Sequence, residues 1–455
     1  MSVRLILLRL FCHPYFLQAM LVSFWSFCFV AGVLPSVQLN SIMILFLFVS
    51  AFYQVSRSLL FLLGSKKFHS QFSNIRKLVV PDGEAPFVSV LVPAFNEETV
   101  ITGTLNSLIH LDYPNYEIIV LDDGSSDKTV FVAQEFAKKH SNKNIRVHSK
   151  ANSGKAATLN VGLEIALGEY VLCIDADTRI SKGTLIFGIN RMISNPQLAA
   201  LAGIVDLDST EDFLTKQQEL EYNVGNLQKA TLGLFGKTNV VPGPIGLFRK
   251  SVVLDMGGYT CGVGSYAEDT EITLRIIAEG YQVSFEPQMI AHTQAPRDWF
   301  NLMKQRYRWV RGTYQAVFKH IPRLINSEKR SDRAFGLFLY CEQVFPVTME
   351  LGVLIYFLTK FLVYEEIAFL TIYLALLILV DFIVARVCLE KISLPRWRCF
   401  NRVLICRFSY SINLLMWKVF SIFEEWKSVK MGWDKVYRYS AEAIGLGGEK
   451  GELHG

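Results

Sequence analysis

The chain has 455 residues, 51% of them hydrophobic and 19% charged, with a formal net charge of +5. A mean hydropathy of +0.28 argues against an ordinary water-soluble protein, and the modest, scattered positive charge argues against a nucleic-acid surface. The eight cysteines form no close Cys-x-x-Cys pair, so they read as reduced, buried hydrophobes and not as a zinc site or a disulfide framework.

The apolar residues are concentrated in blocks. Residues 15–34 and 42–63 form two at the start, and 335–363 and 368–387 two more near the end. Each is long enough to cross a ~30 Å hydrocarbon core, which takes about 20 helical residues. The first exceeds the ~7–15 residue core of a secretory signal, and a second follows at once, which argues against a cleaved leader. Arg4 and Arg9 precede the first block, Lys66, Lys67, Arg76 and Lys77 follow the second, and the turn between them carries no basic residue. The positive-inside rule therefore predicts a cytoplasmic N-terminus and a cytoplasmic central segment. A further apolar stretch, 403–423, carries Arg407 and Lys418 and is followed by Lys427, Lys430, Lys435 and Arg438. Two placements stay open for it, a fifth span or a helix lying in the interface.

Within the central segment, FVSVLVP (87–93) is a β-branched apolar run ending at Pro93, with Asn96 as candidate cap of the helix that follows. EIIVLDD (117–123) repeats the pattern, ends at Gly124 and Ser125, and leads into a helix over 127–139. A third strand is expected at 145–148, a helix at 155–167 and a fourth strand, YVLCIDAD, at 170–177. Strands alternating with helices imply an α/β domain with a parallel sheet, whose ligands bind beyond the carboxyl ends of the strands. Pro93 with Ala94, Asp122 with Asp123, and Asp175 with Asp177 all fall at such ends, with Glu97 just past the first.

These positions suit particular chemistry. Asp123, beside a Gly-Ser turn, can accept from a nucleotide base or ribose, in competition with capping its own turn; capping accounts well for Asp127 and serves for Asp122. Asn152 to Lys155 is not a phosphate loop, because Ser149 stands where the first glycine belongs and Ala156 follows the lysine. Lys155, near a helix start, can still meet a diphosphate as a point charge. Asp175 and Asp177 put two like charges together, and a bound divalent cation would offset that cost. Glu268 and Asp269 open a helix that stops at Gly280; acidic residues belong there for dipole reasons, and one of them can also act as a base. Gly257, Gly258, Gly262 and Gly264 suit a loop that approaches a sugar, and equally an ordinary mobile loop. Residues 297–320 read as an interfacial amphipathic helix. That reading does not by itself require Gln305, Arg308 and Trp309, which suit a diphosphate and a sugar ring.

This ordered set resembles the processive, inverting family 2 glycosyltransferases, which include poly-N-acetylglucosamine, hyaluronan, chitin and cellulose synthases. The resemblance runs from about residue 87 to 312. It implies a GT-A fold binding a UDP-sugar, with Asp123 on uridine, Pro93, Ala94, Glu97, Lys155 and Asp175 around the donor, and Asp175 and Asp177 on Mg²⁺ or Mn²⁺. Asp269, with Glu268 beside it, would be the base, and Gln305, Arg308 and Trp309 would bind diphosphate and acceptor. The family's Thr-Glu-Asp stands here as Ala267-Glu268-Asp269. The implied organisation is two N-terminal spans (1–64), a catalytic domain (65–296), amphipathic interfacial helices (297–333), two or three further spans (334–425) and a basic tail (426–455).

Length and the two-span start most resemble the bacterial poly-N-acetylglucosamine type, and VVPGPIGLFR (240–249) resembles the acceptor-side segment of N-acetylglucosamine polymerases. No cyclic-dinucleotide module is expected after the last spans, which counts against cellulose. The implied protein is a multi-pass plasma (inner) membrane enzyme that meets a donor, a growing polysaccharide, the bilayer and, in some settings, an accessory membrane subunit. The competing functions are UDP-glucose polymerisation, single-sugar transfer to a polyprenyl phosphate, and a non-catalytic export scaffold.

Overall fold

A computed structural model describes residues 14–34, 37–72, 85–208, 210–262, 266–364, 368–390 and 395–427. Arg4, Arg9, Arg76, Lys77, Gly264 and the tail beyond Lys427 lie outside the described residues.

Eight strands make one sheet among the described residues: β1 (Val88–Ala94), β2 (Tyr116–Asp122), β3 (Ile145–Ser149), β4 (Tyr170–Cys173), β5 (Arg179–Ile180), β6 (Leu198–Leu207), β7 (Gly246–Arg249) and β8 (Gln282–Thr293). Their spatial order is β3-β2-β1-β4-β7-β6-β8-β5. The first four strands are parallel, as the alternating pattern predicts. From β7 onward the sheet is mixed: β7 is antiparallel to both β4 and β6, β8 runs parallel to β6, and β5 closes the edge antiparallel to β8. β1 and β4 are buried along almost their whole length, which explains their unbroken apolar runs. Alternate residues feed the two faces, with Val90, Val92, Ile118 and Val120 on one and Leu91, Ile119, Leu121 and Val171 on the other.

In chain order the helices are α1 (Pro14–Val33), α2 (Val37–Phe72), α3 (Ile101–Leu108), α4 (Thr129–Lys139), α5 (Lys155–Ile165), α6 (Thr184–Ser194), α7 (Phe213–Gly233), α8 (Lys250–Asp255) and α9 (Glu268–Ala278). They continue as α10 (Trp299–Ile325), α11 (Arg330–Phe345), α12 (Leu351–Tyr364), α13 (Ala368–Cys388), α14 (Arg396–Ile405) and α15 (Ser411–Trp426). The α5 helix lies hard on the sheet: a Cβ at Gly162 would come within 2.4 Å of Leu121.

Two local expectations are corrected. Asn96 does not cap α3, which starts after Val100. It takes a left-handed conformation (φ 54°), and its side-chain oxygen accepts from the Ser126 N–H at 2.8 Å, knitting the β1 turn to the β2 turn. Side chains of this type bond nearby backbone as readily as they cap helices. The fourth strand stops at Cys173, so Asp175 and Asp177 sit in the turn after it.

Among the described residues, four helical stretches are long and apolar enough to cross a membrane: Ser41–Gln71, Arg330–Tyr364, Leu370–Cys388 and Arg396–Trp426. The shorter α1 packs along α12, so tightly that a Cβ at Gly352 would lie 2.5 Å from Phe24. The ambiguous segment 403–423 belongs to the last long stretch, and its charges are half-buried against neighbouring helices. Arg407 pairs with Asp381 of α13 at 2.6 Å, and Lys418 donates to the Glu342 carbonyl of α11 at 3.2 Å. Such pairing is what lets ionisable groups sit on an apolar helix.

Candidate active site at the carboxyl edge of the sheet

Parallel register brings Ala94 opposite Asp122 and Leu91 opposite Cys173, so the ends of β1, β2 and β4 open on one crevice. The Asp123 N–H donates to the Ala94 carbonyl at 2.9 Å. Asp122 serves its own turn, accepting from the Gly124 N–H and the Ser149 hydroxyl. Asp127 is not the N-cap of α4, which is Lys128, but from one residue before it accepts from the Thr129 N–H at 2.9 Å. Asp123 does more. Its buried carboxylate accepts from the N–H groups of Ser153 and Gly154, at 2.9 and 2.8 Å, and from the Lys150 ammonium. Burial disfavours its charge, but these donors outweigh burial and hold the carboxyl below the usual range. Asp123 thereby fixes the loop whose last residue, Gly154 (φ 88°), starts α5 and aims Lys155 into the crevice. Glu97 is buried at the rim, its N–H bonded to the Thr129 hydroxyl.

Lys155 is the hub of the other end. Its Nζ lies 2.5 Å from Asp175 Oδ1 and 3.2 Å from Glu268 Oε1, so one ammonium joins the acidic turn to the start of α9. Burial works against the charge, and the two carboxylates more than restore it, holding the ammonium above its ordinary range. Gly243, from the segment before β7, leaves the room: a Cβ there would stand 2.8 Å from Nζ. The Gly243 N–H also donates to Asp269 Oδ2 at 3.3 Å, and Thr270 N–H donates to Oδ1 at 2.7 Å. The Asp269 carboxyl is pushed up to about 6 by burial and next by the Glu268 charge, against the pull of Lys155. Pro93, Lys155, Cys173, Tyr259, Glu268 and Asp269 line the cleft between them.

The donor set suits a hard divalent ion. Asp175 and Asp177 offer oxygen ligands on one turn, and that turn already holds a cationic group, the Lys155 ammonium. Among the described residues no cluster of three or more His, Cys, Asp or Glu completes a protein cage. Mg²⁺ and Mn²⁺ accept such incomplete sets because substrate phosphates and water supply the rest.

Tyr259 and Asn160 escaped the sequence reading. Positive φ at Gly257 and Gly258 turns the chain so that Tyr259 enters the cleft, its hydroxyl 3.4 Å from Cys173 Sγ. The Asn160 amide clamps the loop from α5, donating to the Tyr259 carbonyl and accepting from its N–H. The glycines thus deliver a phenol to the cleft. Their spacing was the available signal; Asn160, about a hundred residues away, gave none.

On α10, Gln305, Arg308 and Gly312 follow an i, i+3, i+7 spacing and share one face. Gly312 abuts Ala267, the residue before Glu268, which turns that face toward the start of α9. Trp309 packs edge-on against Tyr222 of α7, with ring centroids 6.3 Å apart, while Gln305 accepts from Arg306. Arg306 itself is buried and structural: it pairs with Glu221 at 2.7 Å and stacks on Trp309 at 4.3 Å.

Residues 89–257 match the family described as Glycosyl transferase family 2. A Staphylococcus epidermidis poly-beta-1,6-N-acetyl-D-glucosamine synthase is 30% identical over 313 residues, 68% of this chain and 73% of the relative. The synthase of the same name from Staphylococcus aureus is 29% identical, over 67% of this chain and 73% of its own length. In fold, the chain is similar to a Pyrobaculum calidifontis mannosyltransferase solved with GDP-Man and Mn²⁺, with a TM-score of 0.57 at 19% identity over 84% of this chain and 98% of that one. The chain belongs to the family 2 glycosyltransferases, a sugar-transferring enzyme whose GT-A domain is flanked by long apolar helices.

Proposed function

We propose that the protein is an inverting, processive polymerase of β-linked N-acetylglucosamine, using UDP-N-acetylglucosamine at the cytoplasmic face and passing the product between its own helices. The observation that carries the reading is the Lys155 bridge, which gathers the acidic turn and the Glu268–Asp269 pair into one crevice. The names of the relatives supply the sugar and suggest a β-1,6 linkage.

In this reading Asp123, Pro93, Ala94 and Glu97 receive the uridine, and Lys155 leaves Asp175 to meet the diphosphate. Asp175 and Asp177 would hold Mg²⁺ or Mn²⁺, which when bound offsets charge on the departing nucleotide. Asp269 takes the proton of the acceptor hydroxyl as its oxygen bonds to the anomeric carbon, and the breaking C–O bond's electrons leave with the β-phosphate. Glu268 keeps Asp269 basic enough for that task. Gln305, Arg308 and Trp309 bind diphosphate and acceptor.

Translocation is supported by a cavity of about 300 Å³ among α2, α7, α13 and the last long helix, lined by Arg57, Glu221, Glu350, Asp381, Arg407 and Tyr410. Glu221 joins it to Arg306 and so to the Gln305–Trp309 segment. The test is UDP release by the detergent-purified protein with Mg²⁺ or Mn²⁺, comparing UDP-N-acetylglucosamine with UDP-glucose and sizing the product. High-mass polymer from the first donor is expected. One sugar on a lipid, or none transferred, would overturn the proposal.

A further inference from the structure

We infer that Gly312 is a positioning residue for the base: its missing side chain lets α10 seat against the turn that carries Glu268 and Asp269 and fixes how far that turn projects into the cleft. The inference rests on the reading of Asp269 as the base. A Cβ at Gly312 would stand 2.5 Å from both the Cβ and the backbone N of Ala267, and 2.8 Å from the carbonyl carbon of Tyr266. These atoms belong to backbone or to a side chain with no freedom to turn, so one of the two segments has to move.

The helix is the less able to yield. Arg311, 2% exposed, pairs with Glu425 of α15 at 2.8 Å, and Gln315 donates to the same carboxylate at 2.7 Å. Tyr307 bonds Glu424, and the Trp426 indole donates to the Tyr314 hydroxyl at 2.8 Å. On the far side, Glu271 of α9 is held by Lys319 at 2.7 Å and His320 at 3.1 Å. The α9 helix is thus latched to α10 at Glu271, the end of its first turn, while Ala267, the residue just before the helix, rests on Gly312. A side chain there displaces Ala267, and with it the two residues that follow.

The test uses the full-length detergent-purified protein with UDP-N-acetylglucosamine. Gly312→Ala is expected to lower kcat by about 10- to 100-fold, the scale of a misplacement near 1 Å, with donor KM and UDP affinity within about twofold of wild type. Adding Ala267→Gly removes one of the clashing atoms and should recover part of the loss. Parallel loss of kcat, UDP affinity and thermal midpoint would overturn the inference, as would wild-type kcat. If Gly312→Ala does not fold, Ala267→Gly alone decides, because it loosens the contact without a clash: a fall in kcat at constant donor KM supports the inference, and unchanged kcat overturns it. Asp269→Asn, run alongside, separates the two claims. Wild-type turnover in that variant removes the base assignment itself; loss of turnover there with a fully active Gly312→Ala removes only the positioning role.

Discussion

The two ends of the crevice hold their carboxylates in opposite ways. Asp123 accepts from two backbone N–H groups and an ammonium, all supplied by residues 150–154, and its charge is stabilised. Asp269 is half-buried next to a second carboxylate, and its charge is destabilised. The first arrangement suits a group that keeps one protonation state and one position while ligands come and go. The second suits a group that must take up a proton and release it. Proximity to charge alone does not separate them, since each has a lysine nearby; the number of donors and the Glu268 neighbour do.

The largest expected effect breaks the second end. Asp269→Asn keeps shape and removes the proposed proton acceptor, so turnover should fall by about 10²- to 10⁴-fold, the usual worth of a positioned base. Donor binding, followed by titration of UDP-N-acetylglucosamine, should persist. Retained turnover would remove Asp269 from the mechanism. Asp123→Asn should act differently. It weakens charge-assisted hydrogen bonds worth about 1.5–3 kcal/mol, so initial rates should give a donor KM raised by roughly tenfold to a hundredfold, with a smaller change in kcat. If kcat falls as far as it does for Asp269→Asn, the two ends are not functionally distinct.

How much of this was legible depended on distance along the chain. Asp175, Asp177, Glu268 and Asp269 could be found because each pair is adjacent or nearly so, and because strand ends and helix starts mark where the chain turns. The parallel half of the sheet was legible for the same reason, through repeated strand-turn-helix patterns. In the mixed half, β5 has two residues and β7 only four, which follow the Pro- and Gly-rich stretch Pro242-Gly243-Pro244, so neither shows a period of its own. Arg306 looked like one more cation on an amphipathic helix; its partners Glu221 and Tyr410 lie 85 and 104 residues away and have no local signature. Gly312 did leave a mark, since a glycine inside a helix costs about 1 kcal/mol relative to alanine and calls for a packing reason. Its contact with Ala267 supplies one.

The smallest effect sharpens the comparison most, because it tests sign. The Asp269 carboxyl rises from 3.8 to about 6, and with Asp269 as the proposed base the deprotonated form is the active one, so kcat/KM should climb as pH rises through about 6. Glu268 raises that carboxyl and Lys155 lowers it. Lys155→Met should therefore move the acid limb of the kcat/KM profile to higher pH, and Glu268→Gln should move it to lower pH. Each shift should be up to about one unit, equivalent to ~1.4 kcal/mol. Burial acts on Asp269 in both variants and cannot produce opposite shifts, whereas removing a cation and removing an anion must. Two limbs moving the same way would mean that Asp269 is tuned by burial alone and that the Lys155 bridge serves only to hold the acidic turn to α9.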